Sequence, residues 1–187
     1  MPKAKHQNAA VSAAVLRVAS AKGWQGASLA AIAKEAKIPL ATLKKRYASP
    51  HEIIPVVIEE MTREALAGAG KVSGSPRDVV FDLLMARFDV LQKNRKAILS
   101  IADAARCDPA LARALGVSVR KSMAATADAA KLGASLRPVA AIGLSAIYGL
   151  AFWTWRKDNT RDMAKTMATL DKGLRLAEQA INIFDKQ

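Results

Sequence analysis

Cysteine and histidine are nearly absent from this chain: 187 residues contain one cysteine, Cys107, and two histidines, His6 and His51. A lone cysteine closes no disulfide within the chain, and the lack of bridges fits a reducing, cytoplasmic setting. A thiol sensor would need a depressed pKa; the plainer expectation for Cys107 is a semi-buried helix residue. Neither histidine stands near the cysteine or an acid cluster at metal-ligand spacing, so no metal centre is expected. Glycine-rich phosphate loops, nucleophile elbows and His-Glu-x-x-His motifs are missing as well. Glu59, Glu60 and Glu64 stand beside Arg63 at helical spacings and read as a solvated face. No catalytic residue and no cofactor is expected.

Aromatic residues are also scarce, at 5%, and β-branched residues never alternate strictly, although 51% of the chain is hydrophobic. That content, mostly Ala, Leu, Ile and Val, supports a real core and favours an all-α protein. The opening MPKAKHQNAAVSAAVL has no long apolar run, which argues against a signal peptide. One long stretch lacks charge: between Arg137 and Arg156 lie 18 residues, PVAAIGLSAIYGLAFWTW. That length is the lower limit for a membrane span. The same run suits a helix buried in a bundle, and no membrane insertion is expected.

Acids are rarest at the start. The first 51 residues carry nine Lys/Arg and one acid, Glu35, so nine minus one, or +8, of the formal +13 sits there. Charge this local suits a polyanion such as double-stranded DNA.

The helical pattern in this basic segment is specific. Residues 7–22 read as a first helix with Val11, Val15 and Val18 on one face, closed by Gly23 in a left-handed cap. Trp24 is expected in the core. Ser28 is placed as the N-cap of a helix from Leu29 to Ala36, in which Leu29, Ile32 and Ala33 share a face. Lys37-Ile38-Pro39 makes a turn, and a second short helix spans Leu40 to Tyr47. Ser49-Pro50-His51-Glu52 reads as a capping box opening a helix over 50–67, where Pro55 threatens a kink.

The loop-like GAGKVSGS, residues 68–75, precedes a helix opened by Ser75 and Asp78, with Phe81, Leu84, Phe88 and Leu91 on one face. Further helices are expected at about 95–106, 109–131 and 136–156, with a last one capped by Asp158-Asn159-Thr160 and reaching Phe184. The division expected is a head, 1–49, and a body, 50–187, with helix 50–67 connecting them.

A helix–turn–helix that reads DNA needs an apolar crossing, an outward-facing second helix and cations for phosphates. Ile32, Ala33, Ile38 and Leu43 supply the crossing. Lys44, Lys45 and Arg46 supply charge, but consecutive residues point about 100° apart, so not all can face a base. Thr42 and Lys45 are expected nearest the groove, with Leu40 and Tyr47 contributing. Lys44, Arg46, Ser28, Lys3 and Lys5 are assigned to phosphates.

VLRVASAKGWQGASLAAIAKEAKIPLATLKKRYASPHEII resembles the N-terminal domain of TetR-family transcriptional regulators. Gly23-Trp24, Ser28-Leu29, Ile32-Ala33, Ala36, Ile38, Thr42-Leu43, Tyr47 and Ser49 stand in the family's pattern over residues 10–60. The resemblance implies a homodimeric regulator, here a ligand-responsive repressor, with a DNA-binding head and a helical body for effector binding and dimerisation. Four departures stand out: Lys37 replaces the usual turn glycine, and Lys44 a tyrosine that touches phosphate. Pro50 replaces a phosphate-gripping lysine, and Pro39-Leu40 a polar pair.

In the body, Met163, Met167, Leu170, Leu174, Ala177, Ile181 and Phe184 repeat with alternating spacings of 4 and 3. Such a seam packs either within the chain or, with Leu150 and Trp153 of the uncharged helix, as half of a four-helix bundle between two copies. The expected interface takes the second form. A small apolar effector is assigned to Phe81, Met85, Phe88, Met123 and Tyr148, although a filled core would use the same residues. Trp155, Asp158-Asn159-Thr160 and TMATLDKGL also resemble a second group with this fold, the lipid-binding accessory proteins of ubiquinone biosynthesis.

Overall fold

The computed structural model describes the backbone of residues 2–70, 73–133 and 137–184, and the side chains of 6–70, 73–133 and 137–179. Among these residues all regular structure is helical. The α-helices are α1 (Pro2–Lys22), α2 (Leu29–Ala36), α3 (Leu40–Lys44), α4 (Ile54–Gly68), α5 (Pro76–Lys93), α6 (Arg95–Ala104), α7 (Pro109–Ala129), α8 (Arg137–Trp155) and α9 (Ala164–Phe184). Short 3₁₀ turns cover Trp24–Gly26 and Pro50–Ile53. The chain groups into two compact units, residues 1–64 with 89–119, and residues 65–88 with 120–187.

In the first unit α1 is the central strut. Val11, Ala14, Val15, Val18 and Ala19 are buried, each valine contributing about 1.5–3 kcal/mol by leaving water. The alanines among them let α2 and α6 approach, and α1 packs on both. Residues 89–119 thus group with residues 1–64 in this unit. Trp24 helps bind them: it is buried, and its backbone N–H donates to Ser100 Oγ at 2.8 Å. Gly23 has the positive φ expected, 72°, but its ψ of 168° is extended and not that of a left-handed cap. Cys107 is exposed in the turn after α6, not semi-buried in a helix.

Two caps behave differently from each other. At Ser49 the side chain makes no capping bond, and Glu52 Oε2 instead accepts from the Ala48 N–H at 2.8 Å. The chain enters a 3₁₀ turn first, so Pro55 falls in the first turn of α4, where it displaces no intrahelical donor. At Ser75 the reciprocal box forms: Ser75 Oγ accepts from the Asp78 N–H at 3.2 Å, and Asp78 Oδ2 from the Ser75 N–H at 3.3 Å.

In the second unit α8 and α9 pack together. α8 buries Ala141, Leu144, Ile147, Tyr148, Ala151 and Trp155, and α9 buries Leu170 and Leu174. Gly173 permits the approach, since a Cβ there would lie 2.8 Å from Ile147 Cγ2. The junction between them is organised by Asp158, which is buried. Its Oδ1 accepts from the Thr160 N–H at 3.1 Å and hydroxyl at 2.6 Å; its Oδ2 accepts from the Thr166 N–H at 2.9 Å and hydroxyl at 2.8 Å. The cap thus spans a longer turn than expected, and α9 begins at Ala164.

Burial works to raise the Asp158 carboxyl, but the four donors outweigh it and hold it well below the ordinary carboxylate range. Asp158→Asn replaces one acceptor oxygen with a donor facing other donors, and should cost about 2 kcal/mol in urea unfolding at pH 7. Because the folded carboxyl titrates below its unfolded value of about 3.9, its contribution is complete above that pH and fades as pH falls. The stability gap to the variant should therefore shrink below about pH 4.

Candidate nucleic-acid interface

The turn between α2 and α3 is closed by backbone geometry. Lys37 takes a left-handed conformation, φ 55° and ψ 39°. Its N–H reaches Lys34 O at 3.2 Å, and the Ile38 N–H reaches Ala33 O at 3.0 Å, the paired bonds of a Schellman motif. Ser28 opens α2 as expected, its Oγ accepting from the Ala31 N–H at 3.1 Å. Ile32, Ala33 and Leu43 are buried where α2 packs on α3.

α3 is shorter than the expected 40–47. It ends at Lys44, with Lys45 as its C-cap, and the chain turns through Arg46 toward Ser49. Its last turn closes with the Arg46 N–H on Leu43 O at 3.0 Å, and Ser49, ahead of Pro50, is extended at φ −147°, ψ 162°. With Leu43 turned inward, Thr42, Lys44 and Lys45 are exposed, and Leu40 is half-buried.

Two residues expected at the DNA surface have other work. Tyr47 is buried with no hydrogen bond to its hydroxyl, so its ring belongs to the core. Arg46 turns back to α1, donating to Gln7 Oε1 at 3.1 Å and Asn8 Oδ1 at 2.8 Å, with its guanidinium 5.2 Å from the Tyr47 ring centroid. It ties the end of α3 to α1. The one acid of the head, Glu35, is paired with Arg17 at 2.5 Å. The side chains of Lys3 and Lys5 lie outside the described residues.

His51 was missed by the sequence reading. Its Nε2 lies 2.8 Å from Asp108 Oδ2, and its ring meets Trp24 edge-on at 5.9 Å. The Leu111 N–H, and then the His51 ring, hold the Asp108 carboxyl below its ordinary value. The pair joins the turn after α3 to the start of α7, a long-range contact for which spacing gives no signal.

In the second unit, Phe88, Met123 and Tyr148 are buried, and Phe81 and Met85 are half-buried. Phe88 and Tyr148 have ring centroids 5.3 Å apart. Beside them Arg87, also missed, is buried, donates to Ser122 Oγ at 2.7 Å and stacks 5.2 Å over Tyr148. Its place at Leu84+3 and Leu91−4 on the inward stripe of α5 was the available signal.

The outer face of α8 carries an apolar stripe: Val139 is 71% exposed, Ile142 61%, Leu150 65% and Trp153 54%. Gly143, Ala146 and Gly149 lie between them on the same face. The heptad seam of α9 divides. Met163, Leu170 and Leu174 are buried inside the chain, Ala177 is half-buried and Met167 is exposed; the Ile181 side chain lies outside the described residues. Leu170 and Leu174 of the seam therefore lie in the chain's own core, while Met167 and, on α8, Leu150 and Trp153 are the assigned residues that face outward.

Among the described residues no group of three or more His, Cys, Asp or Glu could hold a metal ion. Among the described residues one helix, α8, is long and apolar enough to cross a membrane by length and composition.

No family model matches the chain, and no curated protein matches it in sequence. Solved structures do. A TetR transcriptional regulator from Nitrosomonas europaea superposes with a TM-score of 0.71 at 17% identity, covering 92% of this chain and 98% of its own. A TetR transcriptional regulator from Rhodococcus sp. RHA1 gives 0.64 at 17% identity, over 93% and 96%. The multidrug binding protein EbrR, solved with imidazole, gives 0.57 at 18% identity, over 92% and 90%. The chain has the all-α fold of TetR-family transcriptional regulators.

Arg46→Ala should lower stability by about 1 kcal/mol, because it removes a strap between α1 and α3. Lys44→Ala, an exposed cation, should change it by less than about 0.5 kcal/mol. Thermal unfolding of the two variants checks the difference.

Proposed function

We propose that the protein is a DNA-binding transcriptional regulator that grips a palindromic operator as a homodimer and releases it on binding a small effector. The observation that carries this reading is the exposed Thr42 and Lys44 on the second helix of a helix–turn–helix and Lys45 at its C-cap, in a head whose single acid is paired with Arg17. Thr42 and Lys45, with Leu40 at the edge, read bases in the major groove. Lys44, Ser28 and the N-terminal Lys3 and Lys5 hold phosphates. Arg46 and Tyr47 set the pose of α3 from behind.

Two heads reach successive major grooves about 34–36 Å apart when the dimer forms through the α8 stripe. Exposed Val139, Ile142, Leu150 and Trp153, interleaved with Gly143, Ala146 and Gly149, support that interface, because small residues let two helices approach closely. The effector is assigned to the second unit, among Phe81, Met85, Phe88, Met123 and Tyr148, where it would favour a dimer state that no longer fits the operator. Of the residues that resemble lipid-binding accessory proteins, Asp158, Thr160 and Thr166 cap the α8–α9 junction.

Selection from random duplex DNA by the purified protein tests the reading; it expects an enriched inverted repeat, and sequence-blind retention would overturn it. On the selected duplex, Lys45→Ala should weaken binding and relax preference at one position in each half-site by about 1–3 kcal/mol. Leu150→Asp should convert a dimer to a monomer in sedimentation, with affinity falling on the order of 100-fold as the second half-site contact is lost.

A further inference from the structure

We infer that Lys37 is itself a DNA contact: its ammonium grips a backbone phosphate beside the groove that α3 enters. The inference rests on the proposed DNA-binding function and adds to it a residue placed by strain. A left-handed backbone is cheap for glycine and unfavourable for a lysine. Lys37 occupies it at φ 55°, exposed to solvent, in the connection of the helix–turn–helix.

Strain alone does not mark a site, because Lys131 closes α7 in the same way, at φ 56°, with the Leu132 N–H bonded to Ala127 O. Position separates the two. Lys37 stands three residues before Leu40, the first residue of α3, so its Cα lies within about 10 Å of that helix start. In this docking mode the recognition helix enters N-terminus first and its predecessor crosses the phosphate backbone. The major groove is about 12 Å wide. A side chain leaving the connection between those helices is therefore within reach of a groove wall.

The connection is also stiff. Its two Schellman bonds fix one side, and Pro39, at φ −56° and ψ 131°, fixes the other. Lys37 thus leaves the surface from a set point, and its charge is opposed by no ion pair on the described residues. The left-handed turn directs a cation where glycine would leave bare backbone. It supplies one phosphate contact in a head whose Arg46 is bonded to Gln7 and Asn8 of α1.

The test compares Lys37→Gly, Lys37→Arg and Lys131→Gly in the full-length protein, on the duplex that the wild type enriches from random DNA. Binding is followed by fluorescence anisotropy across salt concentration, and stability by thermal unfolding. Both glycine variants should gain about 2–4 °C in Tm as the left-handed strain is relieved. Only Lys37→Gly should bind more weakly, about 60-fold at 0.1 M salt, with the slope of log K against log salt shallower by about 1.8, the loss of one phosphate contact from each of the two heads. Lys37→Arg should keep the wild-type slope.

A Lys37→Gly protein that binds like the wild type at every salt overturns the inference while leaving the regulator reading intact. A wild type that enriches no duplex sinks the regulator reading, and this inference with it.

Discussion

A five-residue helix has no stability of its own, because forming one turn fixes several dihedrals for very few hydrogen bonds. α3 is such a helix, and the surface built around it depends on how its neighbours hold it. Leu43 and Tyr47 anchor its inner side, Arg46 straps its end to Gln7 and Asn8 of α1, and the turn at Lys37–Pro39 sets its start. What is left over, Thr42, Lys44 and Lys45, is free to face a ligand. The division of labour is physical: two of four polar side chains from 44 to 47 stabilise the pose, and the remaining two present charge.

The second unit meets a different constraint. Its α8 is apolar nearly all round, yet only one side is covered by the chain's own residues. Gly173 lets α9 close on that side, and Asp158 locks the turn between them. The opposite side is left with a stripe of large and small apolar residues at a helical repeat. In the proposed dimer a second copy of α8 covers the stripe, and binding to a repeated DNA site would follow from the symmetry of that pairing.

Much of this was legible in the residues. The valines of α1, the N-cap at Ser28, the turn at Lys37 and the inward Leu43 are set by local periodicity and backbone preference, which a sequence displays directly. Contacts between distant residues have no such local display. Arg46 is an exposed cation whose bonds to Gln7 and Asn8, 39 and 38 residues away, have no local signal. His51 meets Asp108 across 57 residues. The α9 heptad names an apolar face but not its partner, so Leu170 and Leu174 read equally as intrachain core and as interface. Residues 89–119 joined the first unit through Ser100 and α6, which no local pattern announces.

The central claim is that α3 lies in the major groove, and dimethyl sulfate probing of the bound duplex tests it most directly. The reagent methylates guanine N7 in the major groove and adenine N3 in the minor groove. The account predicts protection of guanine N7 in two clusters about one helical turn apart, with adenine N3 unaffected between them. Unchanged guanine reactivity, or protection confined to adenine N3, would contradict it.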